Sequence, residues 1–146
     1  MLWPEFDVNG DLPVGVHAAA LNEVIATFGT HTPQRRIIGR RLDRIYRLAL
    51  STGHLFRFVI FGSFVTSKPE PADVDIFLMM DDGFEVGEVT GEAGVIFDHM
   101  AAQNYEGASI FWIRRLAAID GHEEAVKYWQ IKRDGTQRGI VEVTGL

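Results

Sequence analysis

Apolar residues at helical spacing predict two helices near the start of the chain. Over 17–28 they recur every three or four positions, and Gly29 follows as a stop. Thr32 suits a helix N-cap, with Pro33 at the first helical position, and a longer apolar stripe follows. We therefore expect a short helix over 17–28 and a longer one over 33–52.

The rest of the chain alternates between runs of β-branched or aromatic residues and turn signals. Such runs are typical of buried strands, and the Asp-Gly pairs at 82–83 and 134–135 indicate turns. The predicted strands are 55–61, 74–80, 108–113 and 139–143, and the predicted further helices are 94–104 and 123–131.

These elements predict the fold class. A chain of 146 residues fits one domain with one core, so a single domain over 1–146 is expected. Residues 1–16 hold several prolines and glycines and should form an extended N-terminal arm. The order of helices and strands implies an α+β domain, with a mixed β-sheet of about four to five strands and flanking helices.

Composition excludes several kinds of chemistry. The chain has no cysteine, so it holds no disulfide, no thiolate metal ligand and no thiol nucleophile. No apolar run approaches the roughly 18 residues of a membrane span, and the first residues do not resemble a signal peptide. We expect a cytoplasmic protein without a membrane partner.

The charge is negative but unevenly spread. A net charge of −6 disfavours a general nucleic-acid coat protein. Six arginines nevertheless fall in the second predicted helix: Arg35, Arg36, Arg40, Arg41, Arg44 and Arg47. They are expected to form its solvated outer face, and a surface for a nucleic-acid acceptor is the alternative.

The segment between the first two predicted strands carries candidate chemistry. Gly62 follows the first strand and allows positive φ and a close approach of the backbone to a bulky anion. Ser63 adds a hydroxyl and an N–H group, so the strand end can hold phosphate oxygens. Asp73 and Asp75 are two apart on the next strand, so both carboxylates face one side. Two adjacent carboxylates suit Mg²⁺, which prefers oxygen ligands and substrate phosphates.

This segment resembles the signature of the DNA polymerase β-like nucleotidyltransferase superfamily. The signature is an apolar residue, Gly-Ser, nine or more residues, and then Asp-apolar-Asp-apolar; here nine residues separate Ser63 from Asp73. The resemblance implies a nucleotidyltransferase-like sheet, Gly62 and Ser63 on a nucleoside triphosphate, and Asp73 and Asp75 on two Mg²⁺ ions. It also implies transfer of a nucleoside monophosphate to an acceptor hydroxyl. The alternative is a plain turn followed by a solvated strand face.

Active members of that superfamily usually carry a third carboxylate on a following strand. The strand 108–113 contains no Asp or Glu, and Ser109 stands where the carboxylate would be expected. Glu106 is the first candidate for the missing catalytic group, and Asp98 is a weaker one. Serine is a poor Mg²⁺ ligand and no general base by itself.

Basic residues near the C-terminus are candidates for holding the triphosphate. Lys132, Arg133 and Arg138 flank the turn at 134–135, and Lys68 lies inside the loop itself. Lys132, Arg133 and Arg138 meet the phosphates only if the C-terminal turn lies beside Gly62 and Ser63, and Lys68 is the alternative because it is close to them in sequence.

A second resemblance covers most of the chain. Segments 12–17 and 138–141 resemble small bacterial proteins of the nucleotidyltransferase fold whose function is unknown. The first function compatible with these resemblances is a Mg²⁺-dependent transferase that acts on a small molecule, a protein or an RNA end. The alternative is a catalytically silent member that binds nucleotide or a partner protein, such as an antitoxin-like component. A structural subunit is the third alternative.

Overall fold

A five-stranded mixed sheet organises the structure, a computed structural model that describes residues 2–145. Spatial order across the sheet is β1-β5-β2-β3-β4. The strands are β1 Val16–Ala20, β2 Leu55–Phe61, β3 Val74–Met80, β4 Ala108–Arg114 and β5 Ile140–Thr144. The predicted α+β class, with a mixed sheet and flanking helices, is confirmed.

Strand direction decides what meets at each edge of this sheet. Strand β2 is antiparallel to both of its neighbours, β3 and β5, whereas β1 is parallel to β5 and β4 is parallel to β3. One edge therefore collects the end of β2 and the starts of β1, β3, β4 and β5. Loops that are far apart in sequence meet there.

Helices cover both faces of the sheet. Helices α1 (Leu21–Phe28) and α2 (Pro33–Ser51) pack on one face over the larger apolar core. Helix α4 (His122–Lys127) covers part of the other face over a smaller apolar cluster. The predicted start of α2 is confirmed, because the Thr32 side chain accepts a hydrogen bond from the Arg35 N–H at 3.1 Å.

The first predicted helix is wrong over its first turn. Residues 17–20 belong to β1, which pairs in parallel with β5. Helical spacing could not reveal this, because the small residues of the segment fit either element and the pairing partner lies over 100 residues away. The helix begins only at Leu21.

The predicted helix 94–104 is replaced by shorter pieces. A 3₁₀ segment spans Gly91–Phe97, α3 covers His99–Ala101, and a π turn follows at Ala102–Glu106. Asp98 interrupts the run, because its side chain accepts the Ala101 N–H at 2.9 Å and starts a new helix. The predicted helix 123–131 likewise becomes α4 followed by a 3₁₀ turn at Tyr128–Gln130.

The N-terminal arm packs on the domain. Trp3 meets Phe28 edge-on with ring centroids 5.1 Å apart, and Leu12 is fully buried. The Gly10 carbonyl accepts a hydrogen bond from the Ser67 N–H at 2.9 Å, so the arm also contacts the loop after β2. Residue 1 of the predicted arm lies outside the described residues, and Val16 already belongs to β1.

Within residues 2–145, the longest helices are either too short or too polar to cross a membrane.

Candidate functional site

A cleft lies at the sheet edge where β2 ends and β3 and β5 begin. Its volume is about 400 Å³, and one carboxylate of β3 faces several cations across it. The lining residues are Ser63, Asp75, Lys132, Arg133, Asp134 and Arg138. The strand arrangement thus brings the C-terminal turn beside Ser63, the condition on which a phosphate role for the basic residues depended.

Gly62 and Asp75 are in direct contact at the mouth of the cleft. Asp75 pairs with Phe61 across β2 and β3, so its side chain crosses the backbone of the next residue. Gly62 has φ +78°, and a Cβ there would lie 1.9 Å from Oδ2 of Asp75. Only glycine fits, because it tolerates positive φ and leaves the carboxylate room. Gly62 therefore leaves space for the Asp75 carboxylate and also begins the loop that follows β2.

Ser63 begins a tight turn behind that glycine. The turn is a 3₁₀ segment over Ser63–Val65, and the Ser63 carbonyl accepts the Thr66 hydroxyl at 2.7 Å. The carbonyl is thereby turned into the loop, while the Ser63 side chain lines the cleft.

Asp73 and Ser109 are joined across β3 and β4. The Ser109 hydroxyl donates to Oδ2 of Asp73 at 3.1 Å, and Ser109 is the register partner of Asp75. Asp73 directly precedes β3, so the two aspartates and the serine lie together where β3 and β4 begin. Ser109 fills the position beside the aspartates where the superfamily resemblance expects a third carboxylate.

Burial makes the Asp75 carboxylate costly to ionise. Desolvation, and then the negative charge of Asp73, raise its pKa from 3.8 to about 6, while Arg138 and Arg133 oppose that rise. A divalent cation between the two carboxylates would remove this penalty. The donor set fits Mg²⁺ held by two carboxylates, with phosphate oxygens and water completing its shell.

Glu106, the candidate third carboxylate, is held elsewhere. It is 6% exposed, and its carboxylate accepts hydrogen bonds from Nε of Arg44 at 3.0 and 3.2 Å. The π turn that ends at Gly107 directs it toward α2, and Asp98 is occupied as the cap of α3. Across residues 2–145, no three His, Cys, Asp or Glu side chains form a group that could hold a metal. The structure therefore does not bring Glu106 to the aspartate pair.

The basic residues of the C-terminal turn are arranged by a carboxylate of the N-terminal arm. Asp11 is 4% exposed and forms an ion pair with Nζ of Lys132 and, at 3.5 Å, another with Nη1 of Arg138. Arg133 is exposed. Sequence reasoning missed Asp11, and no local pattern marks it, because its contact with Arg138 spans 127 positions.

Lys68 lies away from this cleft. Its side chain is exposed and is not part of the lining, and its carbonyl accepts hydrogen bonds from Arg35. A role for Lys68 in holding phosphate therefore stays a prediction that the geometry does not favour.

Arg35 organises the loop that carries the site. It is buried, and its guanidinium donates to the carbonyls of Phe28 at 3.0 Å, Phe64 at 2.7 Å and Thr66 at 2.8 Å. The expectation of a solvated arginine is therefore wrong for Arg35, which is 4% exposed. A helical signal was present, because Arg35 lies three positions before Ile38 on the apolar side of the helix.

Fold and site together define a single-sheet α+β protein in which Asp75, one member of an aspartate pair, lines a cleft together with Ser63 and a cationic turn. The chain belongs to the family described as a family of unknown function (DUF6932), which matches it over residues 4–144. No curated protein and no solved structure matched the chain.

Proposed function

We propose that the cleft binds a nucleoside triphosphate together with Mg²⁺, in a protein related to the DNA polymerase β-like nucleotidyltransferase superfamily. The observation that carries the proposal is the meeting of opposite charges around Ser63: Asp75 on one side, and the basic residues of the 132–138 turn on the other. A metal-bound polyphosphate matches both sides of such a cleft, since its cation needs carboxylates and its oxygens need cationic and N–H donors.

Each residue has a distinct task in this proposal. Asp73 and Asp75 hold the metal, and Ser109 keeps the Asp73 carboxylate oriented through its hydroxyl. Gly62 gives the Asp75 carboxylate its space, and Ser63 offers its hydroxyl and N–H to phosphate oxygens. Lys132, Arg133 and Arg138 balance the remaining phosphate charge. When two metal ions are bound, they stabilise the attacking and leaving oxygens of a phosphoryl transfer.

The reaction that follows from this arrangement is transfer of a nucleoside monophosphate to an acceptor hydroxyl. The acceptor hydroxyl oxygen bonds to the α-phosphorus and its proton passes to water, while the bond between the α-phosphorus and its bridging oxygen breaks and pyrophosphate leaves with that electron pair. The acceptor is a small molecule, a protein or an RNA end. We also propose that the protein lies in the cytoplasm, where Mg²⁺ and nucleoside triphosphates are present.

A second candidate function rests on the missing third carboxylate. Ser109 occupies the position where the third carboxylate is expected, and the Glu106 carboxylate accepts a hydrogen bond from Arg44. Both observations favour a catalytically silent member that binds nucleotide or a partner protein, for example an antitoxin-like component. Such a protein would retain the metal-phosphate cleft and lack the group that activates an acceptor.

Calorimetric titration of ATP, GTP, CTP and UTP tests the nucleotide site. Binding is expected in Mg²⁺ and should be lost in chelator and in Asp73→Asn/Asp75→Asn. The matched control is Glu5→Gln/Glu88→Gln, which removes two negative charges at exposed positions outside the cleft. Absence of binding by the wild type, or equal binding by the aspartate double variant, would contradict the proposal.

A labelling experiment separates the two candidate functions. Wild-type protein is incubated with α-³²P-labelled triphosphates, Mg²⁺ and mixed cell extract, and the products are resolved by size. A transferase leaves label on an acceptor, and Asp73→Asn/Asp75→Asn abolishes it. If the wild type binds nucleotide but transfers no label, the silent member is the better description.

A further inference from the structure

Aromatic rings form a nearly continuous row on the sheet face that carries the aspartates. Trp129 lies over three rings of that face, with centroid distances of 4.5 Å to Phe61, 5.1 Å to Phe77 and 5.1 Å to Phe111. The planes are inclined by only 33–34°, so the rings present broad faces to one another. His99 continues the row beyond Phe111 at 4.9 Å and 40°.

Phe111 is the most exposed of the four rings Phe61, Phe77, Phe111 and Trp129. Trp129 and Phe61 are partly buried, Phe77 is buried, and Phe111 is 40% exposed. Phe111 lies on β4, which is at one edge of the sheet and has a neighbouring strand on one side only. Each Å² of apolar ring surface that is exposed to water costs about 25 cal/mol of free energy. A ligand ring stacked on Phe111 would bury part of that surface and recover this free energy.

The exposed ring adjoins the metal-phosphate cleft. Phe111 follows Ser109 by two positions and shares its face of β4, so the two side chains are about 7 Å apart along the strand. Ser109 in turn is bonded to Asp73. Ser109 is also the register partner of Asp75, the carboxylate that lines the cleft, so Phe111 lies on the neighbouring strand with no other strand between them.

His99 is fixed beside that ring. Its Nδ1 lies 3.1 Å from the Ile110 carbonyl, which can only accept, so Nδ1 carries a proton and donates it. The other ring nitrogen, Nε2, is left as a hydrogen-bond acceptor in the neutral form, on a ring whose centroid lies 4.9 Å from that of Phe111. A planar ligand with exocyclic donors would meet both a stacking surface and an acceptor.

From this geometry we infer that Phe111, flanked by His99, stacks against the nucleobase of the bound nucleotide. The inference rests on the proposed function and adds the site of the base to it. Phosphates would lie at Ser63 and the 132–138 turn, beside β2 and β5, and the base would lie on β4. Strands β2 and β4 are separated by β3 alone, so they are about 10 Å apart, a span that a nucleoside triphosphate covers.

Stacking tolerates every base, because each has a π face, so all four nucleotides are expected to gain from Phe111. Loss of one base-aromatic stack should weaken binding by about 5- to 150-fold. Inorganic tripolyphosphate has no base and should bind Phe111→Leu as tightly as it binds the wild type. Leucine retains apolar bulk and removes the ring.

The test is a calorimetric comparison of Mg²⁺-ATP and Mg²⁺-tripolyphosphate on wild type, Phe111→Leu and Phe6→Leu. Phe6 is a matched control, since it is 41% exposed and contacts Phe28 on the other side of the protein. We expect Phe111→Leu to lose affinity for ATP only, and Phe6→Leu to lose none. Proton NMR of ATP bound to the wild type should show upfield ring-current shifts of the adenine protons, a readout that needs no variant.

The outcomes separate this inference from the function on which it rests. Equal ATP affinity of wild type and Phe111→Leu, without ring-current shifts, overturns the base site while the metal-phosphate site stands. A parallel loss for ATP and tripolyphosphate shows a structural role and also overturns it. If the wild type binds neither ligand, the proposed function and the inference fail together. If Phe111→Leu leaves ATP binding intact but reduces label transfer, the ring serves the acceptor instead.

Discussion

The Asp75 carboxylate lies directly over the Cα of Gly62, with no room for a side chain between them. The contact joins the end of β2 to the start of β3 and fixes where the acidic side of the cleft begins. The contact also joins Gly62 and Asp75, which belong to the same sequence motif. A glycine is required at position 62 to leave space for the Asp75 carboxylate as well as for a bound phosphate.

Replacing Gly62 by alanine should damage folding and binding together. A Cβ would meet Oδ2 of Asp75 at 1.9 Å, and the residue would be held at φ +78°. The backbone strain alone costs about 1–3 kcal/mol. We expect a larger loss of unfolding free energy in urea than strain explains, together with loss of Mg²⁺-nucleotide affinity.

Gly53→Ala is the matched control for that variant. Gly53 has φ +74° and nothing within 4 Å of its would-be Cβ. It should show the strain cost and no loss of binding. Equal unfolding free energies for the two variants would mean that the carboxylate contact contributes nothing.

The raised pKa of Asp75 should make this residue's contribution to the stability of the metal-free protein smaller at neutral pH than in mild acid. The folded-state pKa is about 6 and the reference value is 3.8, so the folded state binds the extra proton between those values. The Asp75 contribution to stability therefore falls as pH rises from about 4 to 6, and stays low above that.

Asp75→Asn removes this dependence. One pKa unit corresponds to about 1.4 kcal/mol, and partial exposure of the carboxylate screens the effect. In chelator, we expect the variant to match the wild type near pH 4 and to exceed its unfolding free energy by about 1–2 kcal/mol at pH 7.5. Urea unfolding over a pH series measures this, and parallel profiles would contradict it.

Ser109→Asp should strengthen the response to Mg²⁺. The new carboxylate would stand beside Asp73, whose Oδ2 now accepts the Ser109 hydroxyl at 3.1 Å. Without metal, the added repulsion should lower the melting temperature, and saturating Mg²⁺ should raise it by more than in the wild type. Differential scanning fluorimetry with and without Mg²⁺ measures both effects.

Ser109→Asn is the control for that substitution, because it has similar size without the charge. Ser109→Asn should lose the hydrogen bond to Asp73. Mg²⁺ should raise its melting temperature by no more than it raises that of the wild type. If Ser109→Asp and Ser109→Asn respond alike to Mg²⁺, the position does not adjoin a metal site.

Arg35→Lys should weaken the whole loop between β2 and β3. A lysine cannot replace a guanidinium that donates to the carbonyls of Phe28, Phe64 and Thr66 from a buried position. Buried carbonyls left without donors cost about 1–3 kcal/mol each, and the lysine ammonium can still serve one of the three, so a loss of about 2–6 kcal/mol in unfolding free energy is expected. Urea unfolding provides the measurement.

Arg36→Lys is the neighbouring control. Arg36 is exposed and donates to the Thr30 carbonyl alone among the contacts described for it. Its replacement should change stability by less than about 0.5 kcal/mol. Similar losses for Arg35→Lys and Arg36→Lys would show that burial of Arg35 is unimportant.

Much of the fold could be predicted because its signals are local. Helix α2 has a capping threonine and a continuous apolar stripe, and β2 and β3 are dense in β-branched and aromatic residues. Strand β1 was missed because its five residues carry no strand pattern of their own, and only pairing with β5 extends them. The run at 94–104 failed because the side chain of Asp98 competes with the helix backbone.

The sequence by itself determined the Gly62-Ser63 turn and the Asp73-Asp75 pair, because glycine conformation and the two-residue strand period act over short distances. Tertiary structure alone decided the rest of the site. Strand order brought Arg138 and Asp11 to the edge where β2 ends, placed Ser109 against Asp73, and left Glu106 with Arg44. These contacts depend on which strands are neighbours and in which direction they run, and no local pattern of residues encodes either.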